Sequence, residues 1–345
     1  ALTVCIVRAQ RSSIGEKASD WLNRGRDGPA QVAENVNVIF TKNMTHVIYL
    51  PLRDLPYLQD DVSFDQKLPT VVYVHGWLES GRSDVSTLAI RGAYLDRGDH
   101  NVISLDWSHY SKNINYHLTV IPQLKVIAET IAEYILDLGR NGQLIEKLHL
   151  VGHSLGGQMV GKIGRPGFEN NWIEGFEPIT RTDGGYVQII HTNGGNLGML
   201  HRVGHIDFYP NGGSEHPGCD VDAMSSIISF AANACNHYRS WHFYQLTVRE
   251  PTTMPAVRCL SWDDFLSNGT CYREDIEYMG FGANLNSTGK YYMQTHANIF
   301  NLTKGMDGTV NTPIQKYRLL PPGKNGFESE NLASIPADVQ TNIYF

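Results

Sequence analysis

The stretch from Lys147 to Gly164 constrains this chain more tightly than any other. A short apolar strand there runs into Gly152-His153-Ser154-Leu155-Gly156 and on into a segment rich in small residues. Glycine two places before and two after a serine marks a sharp strand-to-helix turn that lifts the hydroxyl above a sheet edge. The preceding residues read as a buried parallel strand, and Gly157, Gly161 and Gly164 let a helix pack closely behind the turn.

Around that turn the chain alternates strands and helices. Val36 to Thr41 and His46 to Pro51 read as antiparallel edge strands, and Thr70 to Val74 and Asn101 to Asp106 as central ones. Leu124, Ile127, Ile131, Ile135 and Leu138 recur at helical spacing across Gln123 to Leu138. Further strands are expected at Ile173 to Phe176, Tyr186 to His191, Gly204 to Tyr209 and Lys290 to Thr295. Repeated strand-helix-strand units imply right-handed crossovers, hence an α/β fold with a mostly parallel central sheet and helices on both faces. Residues 1 to 35 carry no clear pattern. The tail holds Pro313, Pro321, Pro322 and Pro336, so the 345 residues divide into one large domain over 1–305 and an extension packed on it over 306–345.

The 28 basic and 35 acidic residues give a net charge of -7 with no Lys/Arg run, which argues against a nucleic-acid partner. No apolar run approaches the roughly 18 residues of a membrane span. Cysteines stand at 5, 219, 235, 259 and 271, and Asn-x-Ser/Thr sequons at Asn43, Asn268, Asn286 and Asn301. Together they point to export through an oxidising, glycosylating compartment, with Cys219/Cys235 and Cys259/Cys271 as local disulfides. Cys5 is left over and reads as a buried free thiol, with an intermolecular link such as a homodimer's as the alternative. The apolar start, Ala1 to Val7, is too short for a signal peptide, so the chain reads as already processed.

A serine hydroxyl is a weak nucleophile until a histidine takes its proton and a carboxylate orients that histidine. Downstream of Ser154 stand His191, His201, His205, His216, His237, His242 and His296. His237 is preferred because it follows Cys235, where a disulfide would pin its loop, and opens a helical segment, Tyr238 to Val248. Glu177, in Gly175-Phe176-Glu177-Pro178, is the acid candidate, since it follows an expected central strand and the proline turns the chain. Two backbone N–H groups must meet the developing oxyanion. Leu155, after the serine, supplies one, and Trp77, beyond the Thr70 to Val74 strand, the other; Gly76 lets that backbone come close.

Val71 to Trp77, Val102 to Trp107, Gly152 to Gly157, His191 to Gly195, Gly204 to Gly213 and Cys235 to Ser240 follow in that order. Over residues 30 to 300 they resemble the secreted animal lipases of pancreatic lipase type, especially insect members and related phospholipases A1. The resemblance implies an α/β-hydrolase fold, Ser154 as nucleophile, His237 as base, and Trp77 and Leu155 as the oxyanion hole. It also implies that Cys219 and Cys235 bracket a lid carrying Met224, Ile227, Ile228 and Phe230, with Cys259–Cys271 as a second bridge. Where that family has Gly-Leu-Asp-Pro, this chain has Glu177, one methylene longer. The loop from Glu177 to Tyr186 is short and keeps only Asp183 of an expected calcium site, so no metal or other cofactor is expected. The short Thr192 to Val203 stretch and a lid of 15 residues between its cysteines resemble the phospholipase A1 branch. Neither a C-terminal β-sandwich nor a colipase-type partner is expected. The expected activity is hydrolysis of lipid or phospholipid esters through an acyl-enzyme on Ser154. The alternative is a lipase-like yolk, storage or hydrophobic-ligand-binding protein, which Glu177 and the trimmed loops would suit.

Overall fold

Successive side chains of a strand point to opposite faces of its sheet, so a continuous apolar run needs cover on both. In the computed structural model of this chain, the described residues are 4–8, 28–43, 45–138, 147–164, 178–219, 226–267 and 270–295. Among them eleven strands make one sheet: β1 (Val4–Arg8), β2 (Asn37–Asn43), β3 (His46–Pro51), β4 (Thr70–Val74), β5 (Asn101–Asp106), β6 (Leu148–His153), β7 (Tyr186–Ile190), β8 (Ile206–Pro210), β9 (Pro255–Cys259), β10 (Cys271–Tyr278) and β11 (Gly289–Met293). Their order across the sheet is β10-β9-β11-β8-β7-β1-β6-β4-β5-β2-β3.

Helices α1 (Pro29–Asn35), α2 (Val85–Arg97), α3 (Ile121–Leu138), α4 (Leu155–Gly164) and α5 (Ser226–Arg249) cover it. Alternation sorts the strand residues between two cores. Val72, Val74, Ile103, Leu105 and Leu150 pack with Ile127, Ile131 and Ile135 of α3 and Met159 of α4. Val71, Tyr73, Val102 and Val151 pack with Ile90 and Tyr94 of α2 and Phe243 and Tyr244 of α5. There the Tyr94 and Tyr244 hydroxyls meet at 2.7 Å, joining α2 to α5. The architecture is the expected α/β-hydrolase fold, but the sheet is mixed rather than mostly parallel, because β1 enters antiparallel at its centre and both edges pair antiparallel. Parallel pairing holds β5-β4-β6 together and β7-β8-β11 together.

Three strands were announced by no sequence pattern, β9, β10 and, at the centre of the sheet, β1. Strand β1 lies between β6 and β7, antiparallel to both, with Val4 opposite His153 and Ile190. The expected strand Ile173 to Phe176 lies outside the described residues, as do the tail over 306–345 and the domain boundary at 305. Helix α5 is much longer than the expected Tyr238 to Val248. It begins at Ser226, so the second half of the expected lid and the candidate base share one continuous helix.

Candidate active site

Two strand ends set the site. Val74 and Gly152 are register partners in the parallel β4-β6 pair, so the loops leaving β4 and β6 emerge side by side. Ser154 follows β6 directly with φ of 55°, the left-handed conformation that a sharp elbow demands and a serine adopts only under constraint. The turn closes because its neighbours lack side chains. A Cβ on Gly156 would strike the carbonyls of Val74 and His75, and one on Gly76 would stand 2.9 Å from Ser154 Cβ.

The loop after β4 carries Gly76-Trp77-Leu78. Gly76 N–H donates to Glu79 Oε2 at 2.8 Å and Leu78 N–H to the Ser111 carbonyl at 3.0 Å. Trp77 N–H, between them, has no acceptor among the described residues. The Trp77 ring is fixed from behind: its Nε1 donates to the Asn113 carbonyl at 2.9 Å, and Tyr116 meets it edge-on with centroids 5.0 Å apart. Leu155 opens α4, where the first N–H groups lack intrahelical partners. Both expected oxyanion donors therefore flank the elbow.

His237 comes from the middle of α5. Its carbonyl accepts from Ser240 Oγ at 2.9 Å, and its ring centroid is 4.9 Å from that of His153, the residue before Ser154. Burial, joined by the neighbouring His153, holds its imidazole well below the ordinary histidine range, with Glu79 pulling the other way. His237 Nδ1 has no hydrogen-bond partner among the described residues. Glu177, the acid expected there, lies outside them.

Sequence reasoning missed Glu79. Burial works to raise its carboxyl, but His153 beside it and the Gly76 N–H prevail and hold it at about 2. Its Oε1 stands 2.9 Å from His153 Nδ1. The available signal was a carboxylate directly after the uncharged run Gly76-Trp77-Leu78.

The remaining candidates fall as follows. Cys219–Cys235 and Cys259–Cys271 are both disulfides, so Cys235 is tied down two residues before His237. Met224 lies outside the described residues, and Ile227, Ile228 and Phe230 are described only as backbone of α5. Asn43 is exposed in the β2-β3 hairpin, where its Oδ1 accepts from Thr45 Oγ1 at 2.9 Å, and Asn286 is exposed in a turn. Asn268 and Asn301 are outside the described set. The backbone of Cys5 is paired on both sides within β1. Asp183 accepts from Thr180 N–H at 2.7 Å in a capping box. No group of three or more His, Cys, Asp or Glu side chains gathers into a metal-holding cluster among the described residues.

A constrained serine elbow stands beside a backbone donor without an acceptor among the described residues, on the sheet of an α/β-hydrolase fold. The lipase family model matches residues 30–300, and the chain belongs to that family. Pancreatic lipase-related protein 3 of Homo sapiens is 28% identical over 263 residues, 65% of this chain and 54% of that protein. Lipase member H of Danio rerio is 30% identical over 222 residues, 60% of this chain and 48% of the relative. Inactive pancreatic lipase-related protein 1 of Mus musculus is 29% identical over 269 residues, 68% and 56% respectively. The match spans about half the length of these relatives.

Proposed function

We propose that this chain is a secreted serine hydrolase of lipid esters, of phospholipase A1-like or neutral-lipase type. The observation that carries the reading is Ser154 in a left-handed elbow, flush against the loop that presents Trp77 N–H. In the reaction His237 takes the Ser154 proton as Oγ attacks the ester carbonyl carbon. The resulting oxyanion is met by the Trp77 and Leu155 N–H groups. Collapse breaks the ester C–O bond, the alcohol leaves with the proton from His237, and the acyl group stays on Ser154. Water, deprotonated by His237, then attacks the acyl-enzyme, and the carboxylic acid departs as Ser154 regains its proton. Glu177 is the carboxylate assigned to orient His237. No cofactor enters these steps.

A lipid substrate is supported by the rim of the site. Leu78, Ile114 and Leu118 are 48%, 81% and 85% exposed, and the segment holding the last two is docked on Trp77. Such apolar side chains lose little by meeting an acyl surface. Secretion is supported by the two disulfides and by the exposed sequons at Asn43 and Asn286, assigned as glycosylation sites. No helix among the described residues is long and apolar enough to cross a membrane.

A second reading, a lipid-binding protein without catalysis, is favoured by a His237 Nδ1 that has no partner among the described residues and by a relative named inactive. A fluorophosphonate ester separates the two. With an active lipase as control and detergent present, a covalent adduct mapped to Ser154 supports the hydrolase. An unlabelled Ser154 supports the binding protein and calls for extraction of a bound lipid.

A further inference from the structure

Glu79 touches none of the reacting atoms in those steps, yet three parts of the site meet on it. Its Oε2 accepts from Gly76 N–H at 2.8 Å and from Ser86 Oγ, on α2, at 3.2 Å. Its Oε1 stands 2.9 Å from His153 Nδ1, and its carbonyl accepts from Ser111 Oγ at 3.1 Å. The side chain is only 12% exposed, and a carboxylate is kept that far from water only where its lone pairs are met. Its partners lie on the oxyanion loop, on α2 and on the elbow.

We propose that Glu79 is a positioning residue for the reaction at Ser154, clamping the oxyanion-hole loop to the nucleophile elbow through His153. The geometry gives the clamp two arms. Gly76 N–H and Leu78 N–H flank the Trp77 donor, so fixing both sets the direction of the Trp77 N–H. Without the carboxylate, Gly76 N–H loses its acceptor, and the peptide carrying Trp77 N–H is held only through its carbonyl, by His75 Nδ1 at 2.9 Å and Glu79 N–H at 3.4 Å. The second arm holds the His153 ring between Glu79 and His237, with its centroid 4.9 Å from that of His237. The base thus rests against a ring that is itself in ion-pair contact with Glu79. The inference rests on the serine-hydrolase reading, because only a reaction at Ser154 gives the clamp something to position.

The test measures second-order fluorophosphonate labelling of Ser154 across pH, with thermal unfolding alongside, for the intact chain and two variants. Glu79→Gln keeps an oxygen for Gly76 N–H but removes the charge facing His153; Glu79→Ala removes both. Expected losses are about tenfold and about a hundredfold, the scale on which a misplaced group slows a reaction. The groups facing His237 from neighbouring elements are His153 on β6 and Glu79 on the loop after β4. Glu79 supports the protonated base, so Glu79→Gln moves the acid limb of the labelling profile to lower pH.

A wild-type rate in both variants overturns the proposal alone. So does a slower Gln variant whose acid limb stays put while its melting temperature falls, because that assigns Glu79 to the fold. An unlabelled wild type overturns the hydrolase reading and this inference with it. Should both variants fail to fold, Ser86→Ala removes one donor to Oε2 and is expected to slow labelling about threefold. An unchanged rate there overturns the clamp.

Discussion

Gly76 lies so close to Ser154 that a methyl group on its Cα would stand 2.9 Å from the serine Cβ and 3.3 Å from the His153 carbonyl. The first contact is shorter than two carbon atoms tolerate, so the loop or the elbow must move. Gly76→Ala is therefore expected to lower Ser154 labelling about a hundredfold or more. The strain is local to a loop, so the melting temperature should drop by only a few degrees, roughly what about 1 kcal/mol does. Near-wild-type labelling of this variant would mean that the loop yields freely and does not present Trp77 N–H in one fixed place.

Three histidines around α5 are kept neutral. Burial first, then Arg239, lowers His216 to about 3 and His242 to about 2, and burial with His153 lowers His237 as well. Each unfolded histidine takes up a proton near pH 6.5, whereas the folded one does not. Protons therefore favour the unfolded chain: stability is level above pH 7 and falls as pH drops below 6.5, toward about 3 for His216. Each group contributes at most about 1.4 kcal/mol per pH unit. Denaturant midpoints measured from pH 7.5 to 4.5 should fall accordingly, and His216→Asn should make that decline shallower. A midpoint that holds steady down to pH 4.5 would show that these rings are solvated or paired when charged.

Much of this molecule was legible in its sequence, and the rest was hidden for definite reasons. Thr70–Val74 and Asn101–Asp106 match their expected bounds because both centre on apolar residues and are buried on two faces. The elbow was legible because glycines at fixed offsets answer a steric demand at one serine. Helix α5 was read short because the apolar face of its first turns, with Ile227, Ile228, Phe230 and Ala231, lies between two cysteines and suited a separate flap as well as a buried helix. Strand β1 carries no sign that it will enter between two strands far along the chain. Glu79 went unremarked because His153, which gives it meaning, is adjacent only after folding.

Asp207 belongs to the Gly204 to Gly213 motif, and its role is now visible. The carboxylate, fully buried, accepts from His191 Nε2 at 2.9 Å, Val203 N–H at 3.1 Å and Gly204 N–H at 3.0 Å, with Arg202 at 3.6 Å. His191 Nδ1 is in turn 2.7 Å from the Met199 carbonyl, so the pair ties the 199–204 loop to β7 and β8. Removing one member of a buried pair costs about 3–5 kcal/mol. Asp207→Ala should lose that much in denaturant unfolding while labelling of the folded fraction at Ser154 persists. Loss of labelling in protein that remains fully folded would move Asp207 into the catalytic machinery.

The placement of β1 makes the sharpest demand on the fold. Ile6 is paired with Val151 on one side and Gln188 on the other, so its backbone lies between two ladders. Proline there has no N–H to donate, and its ring does not fit the interior of a sheet. Ile6→Pro should therefore destabilise the protein by about 3 kcal/mol or more, the scale of a proline forced inside a regular element. Because β1 runs alongside His153, labelling of Ser154 should fall together with stability, both measured on the same preparation. An unchanged unfolding midpoint would show that residues 4–8 do not hold the slot beside the nucleophile strand, and the order of the central sheet would have to be redrawn.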